Sequence, residues 1–300
     1  MSMSVEHEEL TFRSDDQECA ATLYLPKQRT PEQRLPCVVM CNGFSLTRED
    51  GLPLFAERFA AAGLAALTFD FRQLGGSSGE PRQFVDHRRQ RTDLTAAVSF
   101  ARTIDGIDSG RIAAWGFSTG GGLAVQVAAA DRHLAAAVAL FPMVDGLAFA
   151  AAAKPLMGAR LMAYAVRDRL GRANVRVPVV GPPGTVAVFN QPAAKSGIER
   201  ALTEDSLWRN EVCASTFLRA GFFRPVRAAH RVHCPLMVCV ADNDSLVPIP
   251  PILRLAQRAP RATLHHYPLD HLDAFEAGEG FDSVVAEQIE FLTANLGSPA

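Results

Sequence analysis

Short uninterrupted apolar runs recur along this chain, separated by stretches in which apolar residues return every three or four positions. The runs Cys37–Cys41, Ala65–Phe69, Ile112–Trp115, Leu134–Phe141, Leu236–Val240 and Ala262–Tyr267 predict strands. Gly51–Ala62, Val85–Arg102, Gly121–Ala130, Ile249–Ala259 and Ser283–Asn295 predict helices; in the first of these the apolar positions include Leu52, Leu54, Phe55, Phe59 and Ala62. Strands apolar on both faces, alternating with helices, predict a mainly parallel sheet covered on both sides. Glu6–Ser14 and Cys19–Leu25 flank the polar turn Asp15-Asp16-Gln17 and predict an antiparallel pair at one edge.

The alternation breaks after residue 145. Ala148–Leu170 has helical spacing, interrupted by Pro155, which removes a donor and clashes with the preceding turn. Val175–Val188 contains Gly181-Pro182-Pro183-Gly184 and cannot be a long helix. Helical character returns over Ser206–Arg219. This pattern predicts one α/β core domain, residues 1–145 and 230–300, interrupted by an inserted, mostly helical cap at 146–229. An insertion at the C-terminal end of a strand covers the crevice where open α/β sheets bind ligands.

Composition narrows the function classes. The chain has 300 residues, 48% of them hydrophobic, enough for one large core. A net charge of −2 supplies no basic field for nucleic acid or anionic lipid, so neither is expected as a partner. The cluster Arg88, Arg89 and Arg91 is expected on the solvated face of a helix. No basic-then-apolar leader and no run of 18 apolar residues is present, so a cytoplasmic location without a membrane span is the expectation. Six cysteines without a C-x-x-C pair are expected as reduced thiols, and no metal site is expected.

The chemistry centres on Gly116-Phe117-Ser118-Thr119-Gly120, a G-x-S-x-G motif between a predicted strand and a predicted helix. A sharp strand–turn–helix there presents the serine hydroxyl as a nucleophile. A base is required, and His271 follows the last predicted strand in Tyr267-Pro268-Leu269-Asp270-His271, where the loop returns to the edge above Ser118. His265 and His266 lie within that strand, His230 and His233 flank the return from the cap, and His7, His87 and His133 are expected at the surface or at helix ends. An orienting carboxylate completes the set. Asp244, in Ala241-Asp242-Asn243-Asp244-Ser245, is preferred, with Asp242 as its competitor, and the order Ser118, Asp244, His271 suits this fold type. Asp270 and Asp273 are expected as turn or solvent groups. The oxyanion donors are expected to be the backbone N–H groups of Thr119 and of Phe44 in the loop Asn42-Gly43-Phe44-Ser45. Phe117 and Trp208 are candidate substrate-binding residues.

These motifs, in this order, resemble the α/β-hydrolase superfamily over nearly the whole chain. The likeness is to its capped branch near the dienelactone-hydrolase and serine-aminopeptidase-like groups, which includes esterases and polyketide acyl transferases. Asn42-Gly43-Phe44 occupies that branch's His-Gly-x oxyanion position with Asn in place of His. Asp70-Phe71-Arg72-Gln73-Leu74-Gly75-Gly76-Ser77-Ser78-Gly79 matches its D-x-R-x-x-G-x-S-x-G signature, in which Arg72 is expected as an internal tie. Asp244–Pro248 matches its D-x-x-V-P loop, His271 its H-x-D loop and Trp208-Arg209-Asn210-Glu211-Val212 its caps. The resemblance implies an α/β-hydrolase fold and a cofactor-independent serine hydrolase acting on a small-molecule ester or thioester. Alternatives are acyl transfer to an alcohol with the same residues, C–C bond hydrolysis, and a non-catalytic ligand-binding relative. Apolar residues of the cap, namely Leu147, Phe149, Met157, Met162, Phe189, Phe217, Phe222 and Phe223, suggest an apolar acyl or aromatic pocket, though most are expected to form the cap's own core. A homodimer stays open.

Overall fold

A computed structural model describes residues 5–30, 33–152, 155–171 and 174–297. Its centre is an eight-stranded sheet. In chain order the first strands and helices are β1 Val5–Ser14, β2 Gln17–Pro26, β3 Leu35–Cys41, α1 Leu52–Ala61, β4 Ala65–Phe69, α2 His87–Ala101, β5 Ile107–Phe117, α3 Thr119–Ala128 and β6 Ala136–Leu140. Then come α4 Gly146–Ala152, α5 Pro155–Arg169, β7 Arg176–Val177, α6 Pro192–Ala201, β8 Val212–Cys213 and α7 Phe217–Ala220. The chain returns to the sheet with β9 Leu236–Ala241, α8 Ile249–Arg258, β10 Ala262–Tyr267 and α9 Glu279–Leu296. The sheet order is β1-β2-β4-β3-β5-β6-β9-β10, with β7 and β8 forming a small separate pair. β1 and β2 are antiparallel to their neighbours, and every pairing from β4 to β10 is parallel.

Burial explains why the apolar runs are continuous. β3, β4, β6 and β9 are buried at every position. α1 and α9 cover one face, and α2, α3 and α8 the other, where α3 and α8 both meet the turn at Pro225–Arg227. Phe55 of α1 packs on Trp115 and Phe281 at ring-centroid distances of 5.2 and 5.0 Å. Trp115 is fully buried, and its indole N–H donates to Gln288 Oε1 of α9 at 2.7 Å, so its one polar atom is satisfied. The edge strand β10 is mostly part-exposed, as a strand with one neighbour should be.

The signature loop after β4 is an internal scaffold. Arg72 donates to Asp93 Oδ1 at 2.7 Å and to Ser14 Oγ at 2.8 Å. Asp70 accepts from the Arg48 and Gly76 backbone N–H groups at 2.7 and 2.9 Å and from the Arg48 guanidinium at 2.9 Å. All six cysteines are buried free thiols, and burial pushes the thiols of Cys19, Cys37 and Cys239 up to about 12. No described helix is long and apolar enough to cross a membrane.

Between β6 and β9 the structure departs from the expected elements. Pro155 is the first residue of α5, where its missing N–H has no helical partner to lose; the two residues before it lie outside those described. α6 was not foreseen, because Pro192, Gly197 and a single large apolar residue, Ile198, give it a faint helical pattern. The helix expected over Ser206–Arg219 is instead a turn, β8, a short 3₁₀ turn and the four-residue α7. Asn210 explains part of this. Its side chain accepts from the Val180 N–H at 2.8 Å and donates to the Val180 carbonyl at 3.0 Å, holding two loops together like an added strand.

Candidate active site

β3 and β5 are neighbours, but the chain leaves β3 toward β4 on one side and returns to β5 on the other. This is the reversal of strand order at which open sheets leave a crevice. The loop after β3 and the turn after β5 both open onto it. Ser118 sits between β5 and α3 with φ 53° and ψ −116°, a backbone conformation unusual for a side-chain-bearing residue. Its frame is fixed on both sides: its N–H donates to the Leu140 carbonyl at 2.9 Å, and its carbonyl accepts from the Met143 N–H at 2.9 Å. The glycines of the motif let strand and helix cross at contact distance. A Cβ on Gly116 would fall 2.1 Å from the Gly120 carbonyl, and one on Gly120 would fall 2.5 Å from the Asn42 carbonyl oxygen.

Three side chains expected to act together form one hydrogen-bonded line. Ser118 Oγ lies 2.9 Å from His271 Nε2, and His271 Nδ1 lies 2.7 Å from Asp244 Oδ2. A carboxylate only accepts, so the imidazole carries its proton on Nδ1 and offers Nε2 to the serine hydroxyl. The other Asp244 oxygen accepts from the Leu246 and Val247 N–H groups at 2.9 and 2.7 Å, which fixes the carboxylate plane. Asp244 follows β9 and His271 follows β10, so all three residues lie at the C-terminal ends of parallel strands. Ser118 is 6% exposed and His271 3% exposed, so the line is shielded from bulk water.

The competing residues lie elsewhere. Asp242 pairs with His266 at 2.6 Å, and His265 pairs with Glu287 at 2.8 Å. Asp270 accepts from Ser245 N–H, Ser245 Oγ and His271 N–H at 2.8, 2.8 and 2.7 Å, stitching the acid loop to the histidine loop. Burial would raise its pKa, but these donors outweigh it and hold the carboxyl below the usual range.

The loop after β3 lies against the serine: a Cβ on Gly43 would stand 3.2 Å from Ser118 Cβ. Asn42 holds this loop. Its Nδ2 donates to the Thr47 and Asp50 carbonyls at 2.8 and 2.6 Å, and its Oδ1 accepts from the Gly43 N–H at 2.7 Å. All the polar atoms of this buried amide are therefore engaged. Among the described residues no acceptor takes up the backbone N–H of Phe44 or of Thr119, the two donors expected beside the serine.

The segment between β6 and β9 closes on this loop. Trp208 Nε1 donates to Ser45 Oγ at 3.3 Å, and Ser206 Oγ donates to Asp50 Oδ1 at 2.6 Å. Asp50 is fully buried and also accepts from the Thr47 N–H and hydroxyl at 2.6 and 2.8 Å. Burial is the largest influence on it and raises its pKa above the usual range. Phe189 meets the Phe44 ring edge-on at 6.2 Å and Phe149 at 6.0 Å, while Phe223 lies 4.3 Å from the His87 ring, itself 6.4 Å from Phe44. These five rings form a continuous aromatic wall beside the loop after β3.

Two expectations change here. Phe117 is 1% exposed and packs behind the histidine, 5.0 Å from the His271 ring and 4.5 Å from Phe275, rather than facing an open pocket. Leu147, Met162 and Phe222 are 52%, 46% and 83% exposed, so they are not part of an internal core. His87, expected at the surface or at a helix end, is the first residue of α2; it is buried there, and burial lowers its pKa. Nothing local to His87 foretells this, because the rings that cover it arrive from Phe44 and Phe223.

Comparison with known proteins adds an independent line. A family model described as serine aminopeptidase, S33, matches residues 33–269. The quorum-quenching protein AidA of Acinetobacter baumannii (strain MDR-ZJ06) is 38% identical over 288 residues, covering 95% of this chain and 93% of AidA. Thiohydrolase aneE of Aspergillus aculeatus is 26% identical, covering 86% of this chain and 85% of that protein. The crystal structure of the α/β hydrolase GrgF from Penicillium sp., also named a polyketide transferase, superposes with a TM-score of 0.83 at 24% identity, over 97% of this chain and 99% of that one.

Proposed function

Because this chain belongs to the serine aminopeptidase (S33) family of α/β hydrolases, we propose that it cleaves a carboxylic ester or thioester through an acyl-enzyme on Ser118. The observation that carries this reading is the line Asp244–His271–Ser118, with contacts of 2.7 and 2.9 Å. His271 Nε2 takes the hydroxyl proton as Ser118 Oγ attacks the carbonyl carbon. Asp244 holds the imidazole in the required tautomer and stabilises the imidazolium. The N–H groups of Phe44 and Thr119 receive the oxyanion, each worth roughly 3 kcal/mol or more in the transition state. His271 then protonates the departing alcohol or thiol. In the second half it takes a proton from water, which attacks the acyl carbonyl and releases the acid. No cofactor enters either half.

We read residues 146–229 as a cap over this site and Phe44, Phe149, Phe189 and Phe223 as the wall of an apolar acyl pocket. The substrate class is then a small-to-medium ester or thioester with an apolar acyl part. Lactones join the panel on chemical grounds, since a lactone is an internal ester and the same attack opens it. Ser118→Ala tests the mechanism with p-nitrophenyl acetate and butyrate: kcat falls roughly 10⁴- to 10⁶-fold, and a fluorophosphonate probe no longer labels the protein. Unchanged turnover overturns the proposal.

A second reading uses the same residues for transfer to an alcohol. The 6% exposure of Ser118 beneath the aromatic wall favours it, because a site closed to water lets another acceptor compete for the acyl group. Product analysis with added alcohols decides: free acid alone, in the presence of an acceptor, rejects transfer.

A further inference from the structure

At the His87–Phe223 end of the aromatic wall lies a cleft of about 430 Å³, within the range of small-molecule sites. Three arginines converge on it from two elements. Arg88 and Arg91 stand three positions apart on α2 and so share a face, while Arg219 comes from α7. Arg89 points away, its guanidinium 6.0 Å from the centre of the Phe84 ring. Facing the three guanidiniums is one carboxylate, Asp86, which is already engaged. It accepts from the α2 N–H of Arg88 at 2.9 Å and pairs with Arg219 at 2.8 Å. Among the described residues Arg88 and Arg91 have no carboxylate within ion-pair distance.

The cleft and the candidate active site share a wall. His87 lines the cleft, packs tilted against Phe223 and meets the edge of Phe44, the residue proposed above as an oxyanion donor. His87 Nδ1 bonds Gln90 Oε1 at 3.1 Å, which pins the ring in that position. Phe223 in turn lies against the first turn of α3, where a Cβ on Gly122 would come 2.9 Å from its ring. Phe222, 83% exposed, stands at the cleft and offers an apolar surface beside the charges.

We propose that this cleft holds a phosphate or carboxylate carried at the end of the substrate remote from the reacting carbonyl. Guanidiniums are planar multi-donor groups that match the oxygens of either anion. Their accumulation here stands out in a chain whose net charge is −2. The proposal rests on the ester or thioester reading of Ser118 and narrows it to substrates with an anionic end. A phosphate would sit on the leaving-group side, as in a phosphorylated thiol carrier; a carboxylate would sit on the acyl side, as in a half-ester of a diacid.

Two substrate pairs test it. S-butyryl-4′-phosphopantetheine is compared with S-butyryl-pantetheine, the same thioester without the phosphate. Mono-p-nitrophenyl glutarate is compared with p-nitrophenyl butyrate. In at least one pair kcat/KM for the anionic member exceeds that of the neutral member by about tenfold or more, and the ratio shrinks as salt rises. In the variant Arg88→Ala/Arg91→Ala that ratio falls toward one, while Arg89→Ala leaves it unchanged. Which pair responds identifies the anion. A ratio near one in both pairs, or a ratio untouched by the double substitution, overturns the proposal. Titration calorimetry of 4′-phosphopantetheine against pantetheine separates this from the catalytic reading. These ligands have no bond to cleave, so tighter binding of the phosphorylated one supports the cleft even if no ester is hydrolysed. Equal binding of the two, with no response in the glutarate pair, counts against it.

Discussion

In the sheet, β3, β4, β6 and β9 are buried at every position; in the segment between β6 and β9, the fifteen-residue α5 buries Ala165 alone. The first region is held by apolar area and close packing, with Trp115 and Phe55 at its centre. The second is held to the first by scattered apolar side chains that reach the same core, among them Ile198, Val212 and Phe223, and by polar ties, Ser206 to Asp50, Trp208 to Ser45, Arg219 to Asp86 and Arg200 to Asp273. The difference separates two tasks. The sheet places Ser118, His271 and Asp244 within hydrogen-bond distance of one another, while the segment supplies side chains that surround them.

That contrast can be broken at its strongest point first. Asp244→Asn is expected to lower kcat for p-nitrophenyl butyrate by about 10⁴-fold, because the amide favours the wrong imidazole tautomer. No single substitution within 146–229 should approach this, and one that did would erase the distinction. Next in size, Phe55→Ala should cost about 3–5 kcal/mol in urea unfolding, as expected for an aromatic ring removed from a close-packed core. A loss under 1 kcal/mol would mean that the core is far looser than its burial implies.

At the joint between the regions, Ser206→Ala leaves one oxygen of buried Asp50 without its donor and should cost ~1–2 kcal/mol, with a severalfold fall in kcat through the neighbouring loop after β3. Asp50 also gives this joint a pH dependence. Its folded pKa is raised, so between the ordinary carboxylate range and that higher value the folded chain binds the extra proton. Its contribution to stability is therefore fully present below the ordinary range and is lost as pH climbs through the raised value. Asp50→Asn should flatten that slope in thermal melts taken across pH. Smallest of all, Leu156→Ser on the outer face of α5 should change stability by no more than about 0.5 kcal/mol, since Leu156 is already 66% exposed. A larger loss would show that this face is covered in solution.

The same contrast explains what could be read from the chain. Strands such as Val38–Met40 announce themselves because burial on both faces forces a continuous apolar run. The positions of Ser118 and Asp244 are legible because each follows such a strand, that of His271 because it follows the last strand, and strand order does the rest. α6 and the Val212–Ala220 region are not legible, because their conformations are set by partners distant in sequence, as Asn210 bonding Val180 shows. Phe117 misleads for a related reason. Its place beside the nucleophile suggests substrate contact, but strand alternation turns its ring beneath His271. The arginine cluster was legible as a charged helix face; that two of its members point with Arg219 into one cleft depends on where α7 lands.

The ends of the interrupting segment are bonded to one another. The Gly146 N–H donates to the Phe223 carbonyl at 2.8 Å and the Val226 N–H to the Val144 carbonyl at 3.1 Å, beside strands β6 and β9 that are already paired. Exit and re-entry therefore form a clasp that belongs to the scaffold and not to what hangs from it. Lengthening the material between them costs little in chain entropy, about 0.6 kcal/mol for each doubling of a flexible loop. That material can thus be remodelled while Ser118, Asp244 and His271 stay where they are. For an engineer, Val144 and Val226 mark the seam at which a foreign segment can be grafted.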